Sequence, residues 1–168
     1  MSIYLAIAVA SGTSLVILVG VWIGTYLSAR KWPYVSFSPL KFKQVQKSDE
    51  LVLTDEQHDF QPLLGHYLKT AEAVIALASA SIVFIPHLSP TLHSARLAMS
   101  MTWLGICVVA LVLFMASLLY RYERSLYFPS TYRPWMYGLV TSLGMTGLAS
   151  FLLAYLLMAI SAAIVVAK

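Results

Sequence analysis

Glu72 has the clearest capacity for chemistry in this sequence, because an acidic side chain stands here at the start of a long apolar stretch. The segment that follows, residues 73–95, contains no Asp, Glu, Lys or Arg. Ionisable groups inside a membrane are costly and commonly serve as ion sites or proton carriers. Lys69 lies three residues before Glu72, within side-chain reach on a helix. The sequence therefore favours an ion pair at the membrane surface, with an intramembrane ionisable site as the alternative.

Two other apolar stretches carry small residues at helical spacing. Gly20 and Gly24 form a GxxxG pair, and a second stripe repeats a small or hydroxyl-bearing side chain at every fourth position: Gly138, Ser142, Thr146 and Ser150. Lipid tails are as apolar as Leu, so helices in membranes associate through close fit between small residues. Both stripes are therefore candidate helix interfaces. Closure of one bundle is the favoured interpretation, and contact between subunits is the alternative. A polar path along the hydroxyls is less favoured, because Ser and Thr also bond to their own helix.

Arginines cluster with aromatic residues between the third and fourth apolar stretches. Arg121, Arg124 and Arg133 stand close to Tyr120 and Trp135 in the sequence. Each basic residue near an anionic membrane surface adds on the order of 1 kcal/mol of attraction to lipid headgroups. The three arginines are therefore a candidate lipid-headgroup site, which an enzyme acting on lipids would also need. Ordinary anchoring at the cytoplasmic surface explains the same pattern and is favoured.

The histidines and the single cysteine indicate no metal or cofactor. His58 and His66 precede the second apolar stretch, whereas His87 and His93 lie at its far end, so no pair suits haem ligation within a bilayer. Cys107 has no second cysteine with which to form a disulfide or a metal site. P-loop, HExxH and GxSxG patterns are absent from the sequence. We expect no cofactor, no metal and no nucleic-acid partner.

Four long apolar stretches must position these residues. Charged side chains are missing from residues 2–29, 73–95, 97–120 and 134–167. Of the 168 residues, 60% are hydrophobic and only 11% are charged, against about 25% charged in an average soluble domain. A bilayer core about 30 Å thick needs roughly 20 apolar residues of helix. The sequence therefore predicts an all-α polytopic membrane protein, a four-transmembrane-helix bundle forming one membrane domain, 1–168, with spans at about 4–28, 65–86, 98–120 and 135–160.

The third of these spans carries the bulkiest side chains, among them Leu111, Val112, Leu113 and Phe114. Close packing in a membrane favours small residues. We therefore expect the third span to be the outermost, lipid-facing helix.

Basic residues predict the orientation. Six of the eleven Lys and Arg residues lie within 30–69 and three within 121–133, whereas only Arg96 and Lys168 lie on the other side. Cytoplasmic loops are enriched in Lys and Arg, so both termini are expected on the outer side of a bacterial inner membrane. Trp and Tyr favour the headgroup level, where Trp103 and Tyr155 are expected at the outer surface. Residues 30–62 are expected to form a cytoplasmic loop with a short interfacial helix.

No motif dictates a chemistry, while small-residue stripes are abundant. The favoured hypothesis is a non-catalytic integral membrane subunit that self-associates or joins a larger membrane complex, so an enzyme is less favoured. Its partners would be the lipid bilayer and copies of itself or other membrane subunits. A small oligomeric channel or carrier, with Glu72 and the hydroxyl stripe on its path, is the first alternative. A lipid-acting enzyme at the inner interface, binding anionic lipid through the three arginines, is the second.

Overall fold

The chain folds into four long helices. A computed structural model describes the backbone of residues 2–31, 42–44, 51–53, 57–88, 95–127, 131–132 and 134–166, and the side chains within 2–27, 64–84, 95–120, 135 and 138–164. The helices are α1 (Ile3–Lys31), α2 (Gln57–Leu88), α3 (Ala95–Tyr127) and α4 (Pro134–Val166). Pro134 opens α4 because the first position of a helix needs no amide donor.

Each helix contains a segment long and apolar enough to cross a membrane. These segments are Ile3–Leu27, Leu64–Phe84, Ala95–Tyr120 and Gly138–Ile164. A helix satisfies its own backbone hydrogen bonds, which a spanning segment requires because the bilayer core offers none. The prediction of an all-helical chain with four potential membrane spans is confirmed.

The helix α3 lies at the centre of the bundle and contacts all three other helices. Of the residues in an 18-residue apolar stretch of α3, 33% are buried, compared with 17% in the corresponding stretches of α1 and α4 and 11% in that of α2. The expectation that the third span is outermost was therefore wrong. The physical reason is that small residues on the neighbouring helices, such as Ala71 on α2 and Gly147 on α4, make room for bulky α3 side chains such as Leu111.

The buried core has two parts. The larger cluster joins all four helices around Trp103, Leu104, Cys107 and Leu111 of α3, with four buried alanines from the other helices: Ala10, Ala71, Ala78 and Ala154. The smaller cluster contains Leu64, Leu118 and Val140. Large side chains of α3 thus pack into shallow, alanine-lined surfaces. Close approach of this kind supplies the dispersion energy that holds helices together where lipid removes the hydrophobic driving force.

A small antiparallel sheet joins two of the helix connections. Its strands are β1 (Phe42–Gln44), β2 (Leu51–Leu53) and β3 (Thr131–Tyr132), in the order β1-β2-β3. Strand β2 pairs with both others, so the connection between α1 and α2 meets the connection between α3 and α4. The strands were not predicted; β1 and β2 lie in the described part of the segment 30–62, together with the last residues of α1 and the first residues of α2.

Candidate functional site

The hydroxyl stripe of α4 lies in the contact between α4 and α1. Ser142, Thr146 and Ser150 are buried, and the hydroxyl oxygens of Ser150 and Ser14 lie 3.3 Å apart. At the other end of the contact, a Cβ added to Gly138 would lie 3.0 Å from Cδ1 of Trp22. The structure thus uses this stripe to pack two helices of one chain.

The hydroxyls of this stripe have different partners. Ser142 donates a hydrogen bond of 2.8 Å to the carbonyl of Leu139 in its own helix. The Thr146 hydroxyl is buried and has no hydrogen-bond partner among the described residues. All three of these side chains are buried, so in the part of the chain that the structure describes the stripe is packed inside the monomer and not exposed to an open path.

Two glycines that the sequence analysis did not single out position α4 against α3. A Cβ added to Gly147 would lie 2.7 Å from Cγ and 2.8 Å from Cδ2 of Leu111. A Cβ added to Gly144 would lie 3.1 Å from the ring of Phe114. The spacing of Gly144 and Gly147, three residues apart on one helix face, is the sequence signal that could have indicated this contact.

The GxxxG pair of α1 lies outside the bundle. Gly20 and Gly24 are exposed, and a Cβ added at either position would meet no atom within 4 Å. At this level of α1 the inward side is marked by Trp22 and Thr25, which pack against Gly138 of α4. Gly20 and Gly24 each lie two residues from Trp22, so a rotation of about 200° places them on the opposite side of the helix.

Glu72 is exposed on α2 and forms part of an open groove between α2 and α3. The groove has a volume of about 450 Å³, and its other lining residues are all apolar: Ile75, Ala76, Val112, Met115, Ala116 and Leu119. The expected ion pair between Lys69 and Glu72 is not present among the interactions of the described side chains. A pair with Lys before Glu is the weaker of the two helical orientations.

The candidate lipid-headgroup arginines cannot be placed in a site. Arg121 and Arg124 belong to the last turns of α3, but their side chains, like all of Arg133, lie outside the described residues. Within the described part of the chain, no group of three His, Cys, Asp or Glu residues could hold a metal ion.

Two aromatic residues expected at the outer membrane surface make contacts inside the bundle. Trp103 is buried, and its indole Nε1 donates a hydrogen bond of 3.2 Å to Oγ1 of Thr13 on α1. The hydroxyls of Tyr155 and Ser81 lie 2.6 Å apart and join α4 to α2. These contacts identify both residues as links between helices, a role that sequence spacing alone did not reveal.

These features define a class: a four-helix bundle whose helices are long and apolar enough to span a membrane, closed by small residues. Comparison with protein-family models, with curated proteins and with solved structures finds no match.

Proposed function

We propose that this protein is a non-catalytic integral membrane subunit that associates through one face of α1. The observation that carries the proposal is the outward position of Gly20 and Gly24, with open space where their side chains would be. The other small-residue stripe, on α4, already packs against α1 within the same chain. A GxxxG pair left open in this way is the surface on which a second membrane helix can approach most closely.

The glycines belong to a longer exposed row of α1. Ala8, Gly12, Val16, Gly20 and Gly24 follow one another at four-residue spacing, and all five are exposed. Neighbours at this spacing lie on one side of a helix, and four of the five are small. We call this row the α1 outer face. Its shape favours a helix–helix contact over a contact with bulky lipid chains, because a second helix can interlock with the shallow row.

The proposed arrangement places both termini on the outer side of a bacterial inner membrane, because nine of the eleven basic residues then lie on the cytoplasmic side. The small sheet supports a common location of the first and third helix connections, since β2 and β3 pair with each other. The preferred partner is a second copy of the chain, and another membrane subunit is the alternative occupant.

The channel alternative receives less support, because the hydroxyl stripe required for a path packs against α1 in the monomer. The side chains of the three arginines lie outside the described residues, so the lipid-acting enzyme stays an untested alternative. Association through the α1 outer face requires neither group.

The mass of the gently solubilised complex, together with the identity of every co-purifying protein, tests the proposal. We expect a complex larger than one chain, which the double variant Gly20→Leu/Gly24→Leu converts to the monomer. Gly105→Leu is the matched control, because its added side chain also meets open space but on α3. A strictly monomeric parent without a partner, or an unchanged complex in the double variant, would contradict the proposal.

A further inference from the structure

The small antiparallel sheet has one predominantly apolar face. Successive residues of a strand lie on opposite faces of a sheet, and residues paired across strands share a face. The register of the three strands places four apolar or aromatic residues and one glutamine on the same face: Phe42, Leu51, Leu53, Tyr132 and Gln44. The opposite face carries Lys43, Val52 and Thr131. An antiparallel sheet with this pattern covers an apolar surface on one side and meets water on the other.

The contact between α3 and α4 shows where the membrane ends beside this sheet. A Cβ added to Gly144 of α4 would lie against the ring of Phe114 on α3. Trp135 stands nine residues before Gly144 in the sequence. The two helices are antiparallel, so the position level with Trp135 on α3 is nine residues after Phe114, just past Arg121. Trp favours the headgroup level, and the charge-free stretch of α3 ends there.

The contact between α1 and α4 gives the same level. Gly138 of α4 packs against Thr25 of α1. Trp135 stands three residues before Gly138, so the position level with it on α1 is about three residues after Thr25, close to Arg30. The charge-free stretches of α1 and α3 thus both end at the level of Trp135. This agreement places the start of α4 in the headgroup layer.

The sheet is attached at this level. Only Arg133 separates β3 from α4, and strands are about 4.8 Å apart, so β1 lies about 10 Å from β3. The headgroups add about 5–7 Å to each side of the hydrocarbon core. The sheet therefore adjoins the boundary between headgroups and acyl chains. Lipid matches an apolar face at this level better than the end of the bundle does, because Arg30 and Arg121 stand at the helix ends.

We infer that the sheet is a lipid-binding surface, whose face carrying Phe42, Leu51, Leu53 and Tyr132 rests on the boundary between the phospholipid headgroups and the acyl chains. The opposite face, with Lys43, meets water. The inference does not depend on association through the α1 outer face, because the sheet and the helices that place it belong to one chain.

Fluorescence quenching in lipid nanodiscs tests this surface on the full-length protein with Cys107→Ala. Leu51→Cys and Leu53→Cys carry an environment-sensitive fluorophore on the apolar face, and Val52→Cys, between them on the same strand, is the matched control. The quenchers are a phospholipid with a nitroxide near its headgroup and iodide in the water. Because the faces alternate, we expect the nitroxide lipid to quench positions 51 and 53 at least about twofold more than position 52. Iodide should show the reverse preference.

A second measurement checks that the sheet forms in the nanodisc. Spin labels at Lys43→Cys and Thr131→Cys, on the water-facing side, should lie about two strand spacings apart, roughly 10 Å. Fluorescence at 51 and 53 that resists both quenchers would place the apolar face on the bundle instead of on lipid. Equal quenching by iodide at all three positions would place it in water. Either result, or distant spin labels, would overturn the inference.

Discussion

The hydroxyl oxygens of Ser14 and Ser150 lie 3.3 Å apart in the buried contact between α1 and α4, 136 residues apart in the chain. Both side chains are small, so the two helices approach closely at this point. The hydrogen bond and the close approach together fix the register of the first helix against the last.

Removing this hydrogen bond should weaken the bundle by a measurable but small amount. Interhelical hydrogen bonds in membranes contribute about 0.6 kcal/mol on average. We expect a coupling energy of that size from the double-mutant cycle Ser14→Ala, Ser150→Ala, measured by unfolding in mixed detergent. Ser161→Ala is the control, because the Ser161 hydroxyl bonds to the Leu157 carbonyl of its own helix. Strict additivity of the two Ser variants would show that the contact contributes no hydrogen-bond energy.

Gly147 should be the glycine least tolerant of substitution, because an added Cβ would overlap Leu111 at 2.7 Å. Overpacking of a filled core costs about 1–3 kcal/mol, so Gly147→Ala should lower the free energy of unfolding by that amount. The double variant Gly147→Ala/Leu111→Ala should be less destabilised than the sum of its parts, since the smaller side chain makes room for the new methyl. Gly105→Ala should cause no loss, and equal losses in Gly105→Ala and Gly147→Ala would contradict the packing of α4 on α3.

Substitution by alanine should lower the stability of the monomer at Gly138 but not at Gly20. In Gly138→Ala the new Cβ would lie 3.0 Å from the Thr25 hydroxyl and 3.2 Å from the backbone carbonyl of Trp22. The free energy of unfolding of the monomer should therefore fall. Gly20→Ala meets open space, so it should leave the stability of the monomer unchanged and weaken association only. Thermal unfolding and complex mass, measured side by side, separate the two effects; a destabilised Gly20→Ala monomer would place this residue inside the bundle.

The orientation can be measured by cysteine labelling in a variant that carries Cys107→Ala. We expect a cysteine at Ser48 to react with a membrane-impermeant reagent only after the membrane is opened, because the basic segment around it should be cytoplasmic. A cysteine at Ser94 should react in intact cells. The reverse pattern would invert the topology.

The sequence was sufficient to predict the four helices, because each stretch without charged residues is long enough to cross a membrane as a helix. It could not order the helices, and the bulky α3 was expected outside although it lies at the centre. Side-chain bulk alone does not distinguish a lipid-facing helix from a helix whose large side chains pack against small residues of its neighbours. Leu111, for example, packs against Gly147.

The stripes show a similar limit. Spacing alone placed Gly20 and Gly138 in one category of candidate interface, although one is exposed and the other packs on Trp22. The difference follows from helical phase relative to Trp22, which packs against Gly138, whereas Gly20 lies two residues from Trp22 on the opposite side of α1. Which face of α1 is buried depends on its partners, and that information lies in tertiary packing.

Cysteine cross-linking in native membranes tests association through the α1 outer face most directly. A disulfide requires Cα atoms about 4.4–6.8 Å apart, a distance that two helices meeting at small residues can reach. In the Cys107→Ala background, we predict a cross-linked dimer from Gly20→Cys or Gly24→Cys and none from Leu152→Cys, an exposed position on α4. Absence of the dimer at both glycines, or equal cross-linking at Leu152, would contradict self-association through this face.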